Sequence, residues 1–128
     1  MSGGSTERPK ATIQCLIVRG LSLCSNRTKV DSIRDMLEIN NSLGIGLTET
    51  WLSKDIDDAE IQIEDISVFR ADRKQRSRGG AAVYLKSDLL CKSVLSYSNG
   101  VREAVLVKCK KLDVVFGVIY RPPPYFSG

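Results

Sequence analysis

The chain has 128 residues, with 19 lysines and arginines, 15 aspartates and glutamates, no histidine and a formal net charge of +4. Its length favours one domain that buries its own core, and its 42% of hydrophobic residues exclude a wholly disordered chain. The longest apolar run, residues 114–120, is too short to cross a bilayer, and four cysteines without histidine exclude a mixed Cys/His zinc site. We therefore predict an intracellular protein, nuclear or cytoplasmic, with free thiols and no membrane partner.

A flexible tail and a buried strand are predicted at the start of the chain. Residues 1–10 are rich in glycine, serine and charge, and they offer almost nothing to a core. The pattern changes at Ala11, after which residues 12–18 become apolar on both faces, as in a strand that is buried on two sides. A loop over residues 19–28 is predicted to follow.

A helix is predicted over about residues 29–41. Thr28 is a suitable N-cap, and Asp31 can complete a capping box and meet the positive end of the helix. The apolar residues at helical spacing form one stripe that a core would bury: Val30, Ile33, Met36 and Leu37. A second strand over residues 45–48 completes a βαβ-like opening.

Glu49 stands where α/β proteins commonly bind ligands. In such a sheet, the first polar side chain past the carboxyl end of a strand emerges into the ligand crevice. Glu49 has this position after residues 45–48, in the run Gly-Ile-Gly-Leu-Thr-Glu-Thr-Trp-Leu. An ordinary solvated glutamate at a strand end is the alternative, and the residues alone leave both interpretations open.

Two charged segments flank a short predicted strand over residues 66–69. The acidic segment, residues 55–65, lacks the spacing and central glycine of a calcium loop, which favours a solvated loop. The basic segment, residues 70–80, lies between strand-like runs and is predicted to be a long hairpin loop. Such a loop can neutralise several phosphates, although a solubilising loop tip is the alternative. Its five cations are Arg70, Arg73, Lys74, Arg76 and Arg78.

The remainder is predicted to form antiparallel strands. A strand over residues 79–86 is followed by strands 95–98 and 102–110, which flank the strong hairpin signal Asn99-Gly100. Residues 114–120 are apolar on both faces, so we predict a central strand in a sheet that is covered from two sides.

The chain contains only one convincing helix to cover such a sheet. We therefore expect an exposed apolar face that associates with a missing complementary half-domain or with a second copy of the chain.

Several short motifs follow one another in order. They are Arg19-Gly20-Leu21-Ser22-Leu23, Lys29, Glu49-Thr50-Trp51-Leu52, Asp72-Arg73, Gly79-Gly80-Ala81-Ala82-Val83-Tyr84, Glu103 and Ile119-Tyr120-Arg121-Pro122-Pro123. This order resembles the amino-terminal part of an endonuclease/exonuclease/phosphatase domain of the apurinic-endonuclease-like type found in non-LTR retrotransposons. The resemblance implies an α/β (α+β) fold with a mixed, largely antiparallel sheet and one main helix, half of a four-layer α/β sandwich. Residues 11–124 would be the partial domain, and residues 125–128 a tail.

The resemblance also implies a chemistry. The family cleaves phosphodiesters with a divalent metal, so DNA is the implied partner, Mg²⁺ the implied cofactor and Glu49 the implied metal ligand. Tyr120 matches the tyrosine that ends the family's Tyr-x-Pro strand near the scissile phosphate; the alternative is an aromatic side chain that only closes a strand. The implied nucleic-acid contacts are Arg19, Arg121 and the five cations of the basic segment.

Two features depart from the family pattern. Arg19 occupies the position of an asparagine, and an arginine can grip a phosphate but cannot hold a cation. The family's later Asp-x-Asn and Ser-Asp-His segments are not found, and the chain has no histidine. We therefore expect a truncated phosphodiesterase or endonuclease domain that is inactive or nearly so alone. The alternatives are a nucleic-acid-binding module and a protein-interaction fragment without catalysis.

Overall fold

The computed structural model describes residues 13–15, 27–73 and 79–121. The predicted tails and the prolines at 122–124 lie outside these residues. The elements in chain order are β1 (Ile13–Cys15), α1 (Arg27–Ile39), β2 (Gly44–Thr48), α2 (Asp58–Ile61), β3 (Ile66–Ala71), β4 (Ala81–Lys86), a 3-10 helix (Ser87–Leu89), β5 (Cys91–Ser98), β6 (Glu103–Cys109) and β7 (Val114–Tyr120). This content confirms the predicted mixed α+β fold. None of the helices in the described ranges is long and apolar enough to traverse a membrane.

The strands form two sheets. Sheet A has the order β1-β2-β4-β3, in which β1 is parallel to β2 and the other pairs are antiparallel. Sheet B is the antiparallel meander β5-β6-β7. The parallel pair β1 and β2, joined through α1, is the predicted βαβ opening.

Helix α1 packs its predicted stripe on one face of sheet A. Val30, Ile33 and Leu37 are buried there against β2 and against Tyr84 of β4. The Tyr84 hydroxyl donates to the Ile61 carbonyl at 2.8 Å, so its polar end is satisfied inside the core.

The ends of α1 differ in how well local signals predicted them. The helix begins at Arg27, so Thr28 lies inside it and is not the predicted N-cap. At the other end, an asparagine in the predicted closing region, Asn41, takes the left-handed conformation at φ 48°. The Ser42 amide donates to the Leu37 carbonyl and the Asn41 amide to the Glu38 carbonyl, the hydrogen bonds of a Schellman motif.

The acidic segment is more ordered than predicted. It contains α2, whose first turn is closed by a hydrogen bond from the Asp57 amide to Glu60 Oε2 at 3.0 Å. Ile61 and Ile63 are buried in the core beside α1. The carboxylates of the segment are exposed, as the prediction of a solvated segment requires, but α2 and the two buried isoleucines anchor its backbone, which that prediction did not include.

Sheet B covers the other face of sheet A. Val83 and Leu85 of β4 point away from α1 and pack against Val105 and Val107 of β6. The central strands of sheet A therefore receive two covers, α1 and sheet B, within this one chain. The expected single sheet with one uncovered face is thus replaced by two packed sheets.

The open apolar face lies on sheet B instead. Within the described residues β7 is an edge strand, paired only with β6, so the prediction of a central strand is wrong there. Phe116 and Val118 pack inward, whereas Val115 and Ile119 on the outer face are 54% and 73% exposed. The apolar character of both faces of β7 reflects this uncovered surface as well as the core.

Candidate functional site

Polar side chains from several strands meet at one end of the two sheets. Strand register alone places Glu103 opposite both Ser98 and Tyr120 in sheet B, and Thr48 opposite Ala81 in sheet A. The residues that meet there, called here the Glu49 cluster, are Glu49, Trp51, Arg73, Gly79, Gly80, Ser98, Glu103 and Tyr120. The first five lie in the segments that follow β2 and that connect β3 to β4, and the rest lie in the strands of sheet B.

The backbone after β2 is strained and held from across the sheet. Glu49 and Trp51 both have a φ of 58°, which is uncommon for residues with a side chain. The Glu49 amide donates to the Gly80 carbonyl and the Trp51 amide to the Gly79 carbonyl, each at 2.9 Å. Such strained positions persist only where their surroundings enforce them, and they concentrate at functional sites.

Both carboxylate oxygens of Glu49 accept a hydrogen bond. The Trp51 indole Nε1 donates to Oε1 at 2.9 Å, and the Tyr120 hydroxyl donates to Oε2. Burial raises the pKa of Glu49, but the bonds from Tyr120, Trp51 and the Gly79 backbone and the charge of Arg73 outweigh it, so its pKa lies below the usual range. Glu49 is therefore an ionised, oriented carboxylate at neutral pH.

Tyr120 is a proton donor at this site. Burial, its hydrogen bond to Glu49 and the negative charge there raise the pKa of Tyr120 to about 12. The phenol therefore keeps its proton at neutral pH and cannot act as a base there. The two residues, 71 positions apart in the chain, are brought into direct contact by the packing of sheet A on sheet B.

Glu103 forms the buried floor of the cluster. Its side chain is completely buried and accepts two bonds from the Arg73 guanidinium, from Nε at 3.0 Å and from Nη2 at 3.1 Å. The Gly80 amide donates to Glu103 Oε1 at 2.9 Å and Ser98 Oγ to Oε2 at 3.3 Å. Glu103 is therefore fully engaged with protein donors.

The predicted cations occupy different environments. Arg73 binds Glu103 and the Val101 carbonyl, and its side chain is only 11% exposed. Arg70 lies in β3, not in a loop, and holds Asp72 at 2.7 Å and Asp58 at 3.0 Å. Both guanidinium groups are thus committed to internal contacts, while Arg121 directly after β7 is exposed. The other predicted cations, Arg19, Lys74, Arg76 and Arg78, lie outside the described residues.

Sequence reasoning had not assigned roles to Trp51 and Glu103. Glu103 follows the Asn99-Gly100 turn at an inward position of an alternating strand, where an acidic residue requires a buried partner. That signal was present in the sequence. The role of Trp51 had no comparable signal, because it depends on the left-handed backbone of the Glu49 segment.

The residues of the Glu49 cluster supply only part of what a Mg²⁺ ion needs. In the described ranges no group of three or more His, Cys, Asp or Glu side chains is placed to hold a metal. A carboxylate has about four lone-pair sites, so the bonds from Tyr120, Trp51 and the Gly79 backbone leave Glu49 a site that is free for a cation. Because Mg²⁺ typically keeps several waters and binds one or two carboxylates together with substrate phosphates, Glu49 fits as one ligand of such an ion.

Replacing Tyr120 with phenylalanine should move the titration of Glu49 to higher pH. The lowered pKa of Glu49 means that its ionised form stabilises the fold above the ordinary pKa of a glutamate, and this contribution is lost as the pH falls through the lowered pKa. Without the Tyr120 donor, that loss should begin at higher pH. The chain has a single tryptophan, and it donates to Glu49, so its fluorescence during acid titration reports the change.

Tyr97→Phe is the matched control, because Tyr97 lies on the exposed outer face of sheet B. An unchanged transition in Tyr120→Phe, or an equal shift in both variants, would show that the Tyr120 bond does not set the Glu49 pKa.

Solved structures of other proteins resemble this fold, and two of them show the extent of the likeness. The AP endonuclease LMAP from Leishmania major matches with a TM-score of 0.60 and 15% sequence identity, over 94% of this chain and 43% of that protein. The human Nocturnin catalytic domain, solved with a bound sulfate anion, matches with a TM-score of 0.48 and 11% identity, over 80% of this chain and 47% of that domain. No protein-family model matches the chain, and no curated protein matches its sequence. The likeness to the AP endonuclease confirms the predicted endonuclease/exonuclease/phosphatase-like fold, and this chain spans 43% of that protein's length.

Proposed function

We propose that this chain contributes part of the active site of a Mg²⁺-dependent endonuclease of the retrotransposon type, which cleaves phosphodiesters in DNA. The observation that supports this most directly is the contact between the Glu49 carboxylate and the Tyr120 hydroxyl, where strand ends of the two sheets converge. The fold shared with an AP endonuclease is the second support.

Three residues of the cluster and the neighbouring Arg121 have defined tasks in this proposal. Glu49 supplies a hard, ionised oxygen ligand, and Trp51 and Tyr120 fix its orientation. Mg²⁺, when bound, would polarise the phosphodiester and offset negative charge during cleavage. The Tyr120 hydroxyl keeps a proton that it can donate to a phosphate oxygen, and exposed Arg121 adds a nearby cation.

The isolated chain is proposed to be inactive or nearly so. The site needs a group that activates water, and the chain contains no histidine for that task. Glu103 cannot serve as a second metal ligand while it binds Arg73, Gly80 and Ser98. Metal binding is therefore a more informative measurement than cleavage.

Glu49→Gln should weaken divalent metal binding by about tenfold or more, because the amide removes the anionic ligand. Mn²⁺ serves as the probe, since this paramagnetic ion quenches nearby tryptophan fluorescence and Trp51 donates directly to Glu49. The natural chain should show saturable quenching that excess Mg²⁺ reverses. Nicking of supercoiled plasmid is the second readout, and any cleavage should disappear in the variant.

Glu38→Gln is the matched control, because Glu38 is an exposed carboxylate on α1. Equal Mn²⁺ affinity in the natural chain and in Glu49→Gln would contradict the proposed metal role.

A second candidate function is association with a complementary half-domain or a second copy of the chain. It is favoured by the outer face of sheet B, where Leu95, Tyr97, Val115 and Ile119 are between 41% and 73% exposed. A face of several exposed apolar side chains on paired strands commonly marks an interaction surface.

Ile119→Lys should abolish concentration-dependent association, since it places a charge at the most exposed apolar position of this face. Light scattering coupled to size exclusion measures the mass over a range of concentrations. Ile39→Lys is the control, because Ile39 is 80% exposed at the end of α1. If the natural chain stays monomeric at all concentrations, self-association is excluded.

A further inference from the structure

Two thiols lie in contact at the end of sheet B opposite the Glu49 cluster. Cys91 begins β5 and Cys109 ends β6, and the two are direct cross-strand partners. Both are free thiols, and their Sγ atoms are 2.9 Å apart. The proposed endonuclease chemistry uses neither residue.

The position of these thiols permits a covalent bond without rearrangement of the strands. Directly opposed residues of antiparallel strands have Cα atoms about 4.5–5.5 Å apart, within the range of about 4.4–6.8 Å that disulfides span. A disulfide bond is about 2.05 Å long, so the two sulfur atoms need only a small further approach. Rotation of the two side chains can supply it.

We propose that Cys91 and Cys109 form an oxidisable dithiol site, which reacts with a small-molecule disulfide such as oxidised glutathione and ends as an intramolecular cross-strand disulfide. The Cys91 thiolate attacks one sulfur of the reagent, so a mixed disulfide forms and one reagent thiolate leaves. The Cys109 thiolate then attacks Cys91 Sγ and displaces the second reagent thiolate. The two protein thiols lose two electrons and two protons, and the reagent is reduced to two thiols.

The order of these steps follows from exposure. Cys91 is half-buried, whereas Cys109 is completely buried, so an external reagent reaches Cys91 first. Burial and the contact with Cys109 raise the pKa of Cys91 to about 12, which makes the first attack slow at neutral pH. The second attack is intramolecular between adjacent sulfur atoms, so the mixed disulfide should not accumulate.

The test treats the natural chain with oxidised glutathione at mildly alkaline pH, blocks remaining thiols and digests with trypsin without reductant. Mass spectrometry should find the tryptic peptide 87–92 joined to the peptide 109–110, with no glutathione adduct on Cys91, and dithiothreitol should separate the peptides. Peptides that contain Cys15 or Cys24 are followed separately. Absence of the joined peptides, or a persistent glutathione adduct on Cys91 in the natural chain, overturns the proposal.

Two variants serve as matched controls. Cys109→Ala should accumulate the glutathione adduct on Cys91, because the resolving thiol is gone. Cys91→Ala should leave Cys109 unmodified, because no exposed thiol begins the reaction there. An adduct on Cys109 that forms as fast as the one on Cys91 would contradict the proposed order of attack.

Discussion

Replacing Arg73 with methionine should lower the free energy of unfolding by about 3–5 kcal/mol, because it leaves a buried carboxylate without its charged partner. Glu103 is completely buried, and two guanidinium nitrogens of Arg73 lie 3.0 and 3.1 Å from its oxygens. Methionine preserves much of the apolar stem and removes the charge. Urea denaturation, followed by circular dichroism, measures the loss.

Two comparisons separate the loss of stability caused by breaking this buried ion pair from the effect of removing any surface charge. Arg73→Met with Glu103→Gln should be more stable than Arg73→Met alone, because no unpaired charge remains and the glutamine oxygen can still accept from the Gly80 amide. Lys108→Met removes the partner of Asp113 in an exposed pair and should change stability little. If Arg73→Met costs no more than Lys108→Met, the buried pair does not stabilise the fold as argued.

The buried pair is also connected to the candidate metal ligand. The Gly80 amide donates to Glu103, and the Gly80 carbonyl accepts from the Glu49 amide. A change at Arg73 can therefore reach Glu49 through one residue of backbone. Arg73→Met should alter the fluorescence of Trp51 even under conditions where the chain remains folded.

Local sequence patterns predicted the elements that depend on the spacing of hydrophobic residues and on the residues that end helices and strands. The stripe of α1 lies against the core, and β7 spans Val114–Tyr120 as predicted, between a turn and a run of prolines in the sequence. The partition of the strands into two packed sheets was missed. It depends on which strands pair and stack, and buried runs such as Ala81–Lys86 look alike whether the layer above them is a helix or a sheet.

The sequence predicted which strand ends contribute residues to the candidate site. It did not predict which of these residues contact one another. Glu49 was placed by its position after β2, and the family resemblance pointed to Tyr120. Their contact, and the pairing of Arg73 with Glu103 across 30 residues, arise only when sheet B packs on sheet A. The basic segment was predicted as a long hairpin loop with five cations. Arg73 instead lies mostly buried against Glu103, a partner 30 residues away that local charge counting does not reveal.

Gly80→Ala should damage both stability and the Glu49 site, and it tests whether the glycine pair shapes that site. Gly80 has a φ of 96°, which a residue with a side chain rarely adopts, and an added Cβ would overlap the hydroxyl of buried Thr50. We expect about 1–3 kcal/mol from backbone strain and about 1–3 kcal/mol from overpacking. Urea denaturation measures the sum, and the Trp51 emission reports the displaced Glu49 segment.

Gly100→Ala isolates the conformational part, because Gly100 has a similar φ of 88° in the turn between β5 and β6 and forms no backbone hydrogen bond with Glu49 in the described part of the chain, whereas Gly80 does. The double variant Gly80→Ala with Thr50→Ala should regain the part of the stability that overpacking costs, since the second substitution removes the hydroxyl that the new methyl group meets. That hydroxyl has no hydrogen-bond partner among the described residues, so its loss breaks no bond there. If Gly80→Ala and Gly100→Ala were equally destabilised and Trp51 emission stayed unchanged, close packing of Gly80 against Thr50 would not be what holds Glu49 in place.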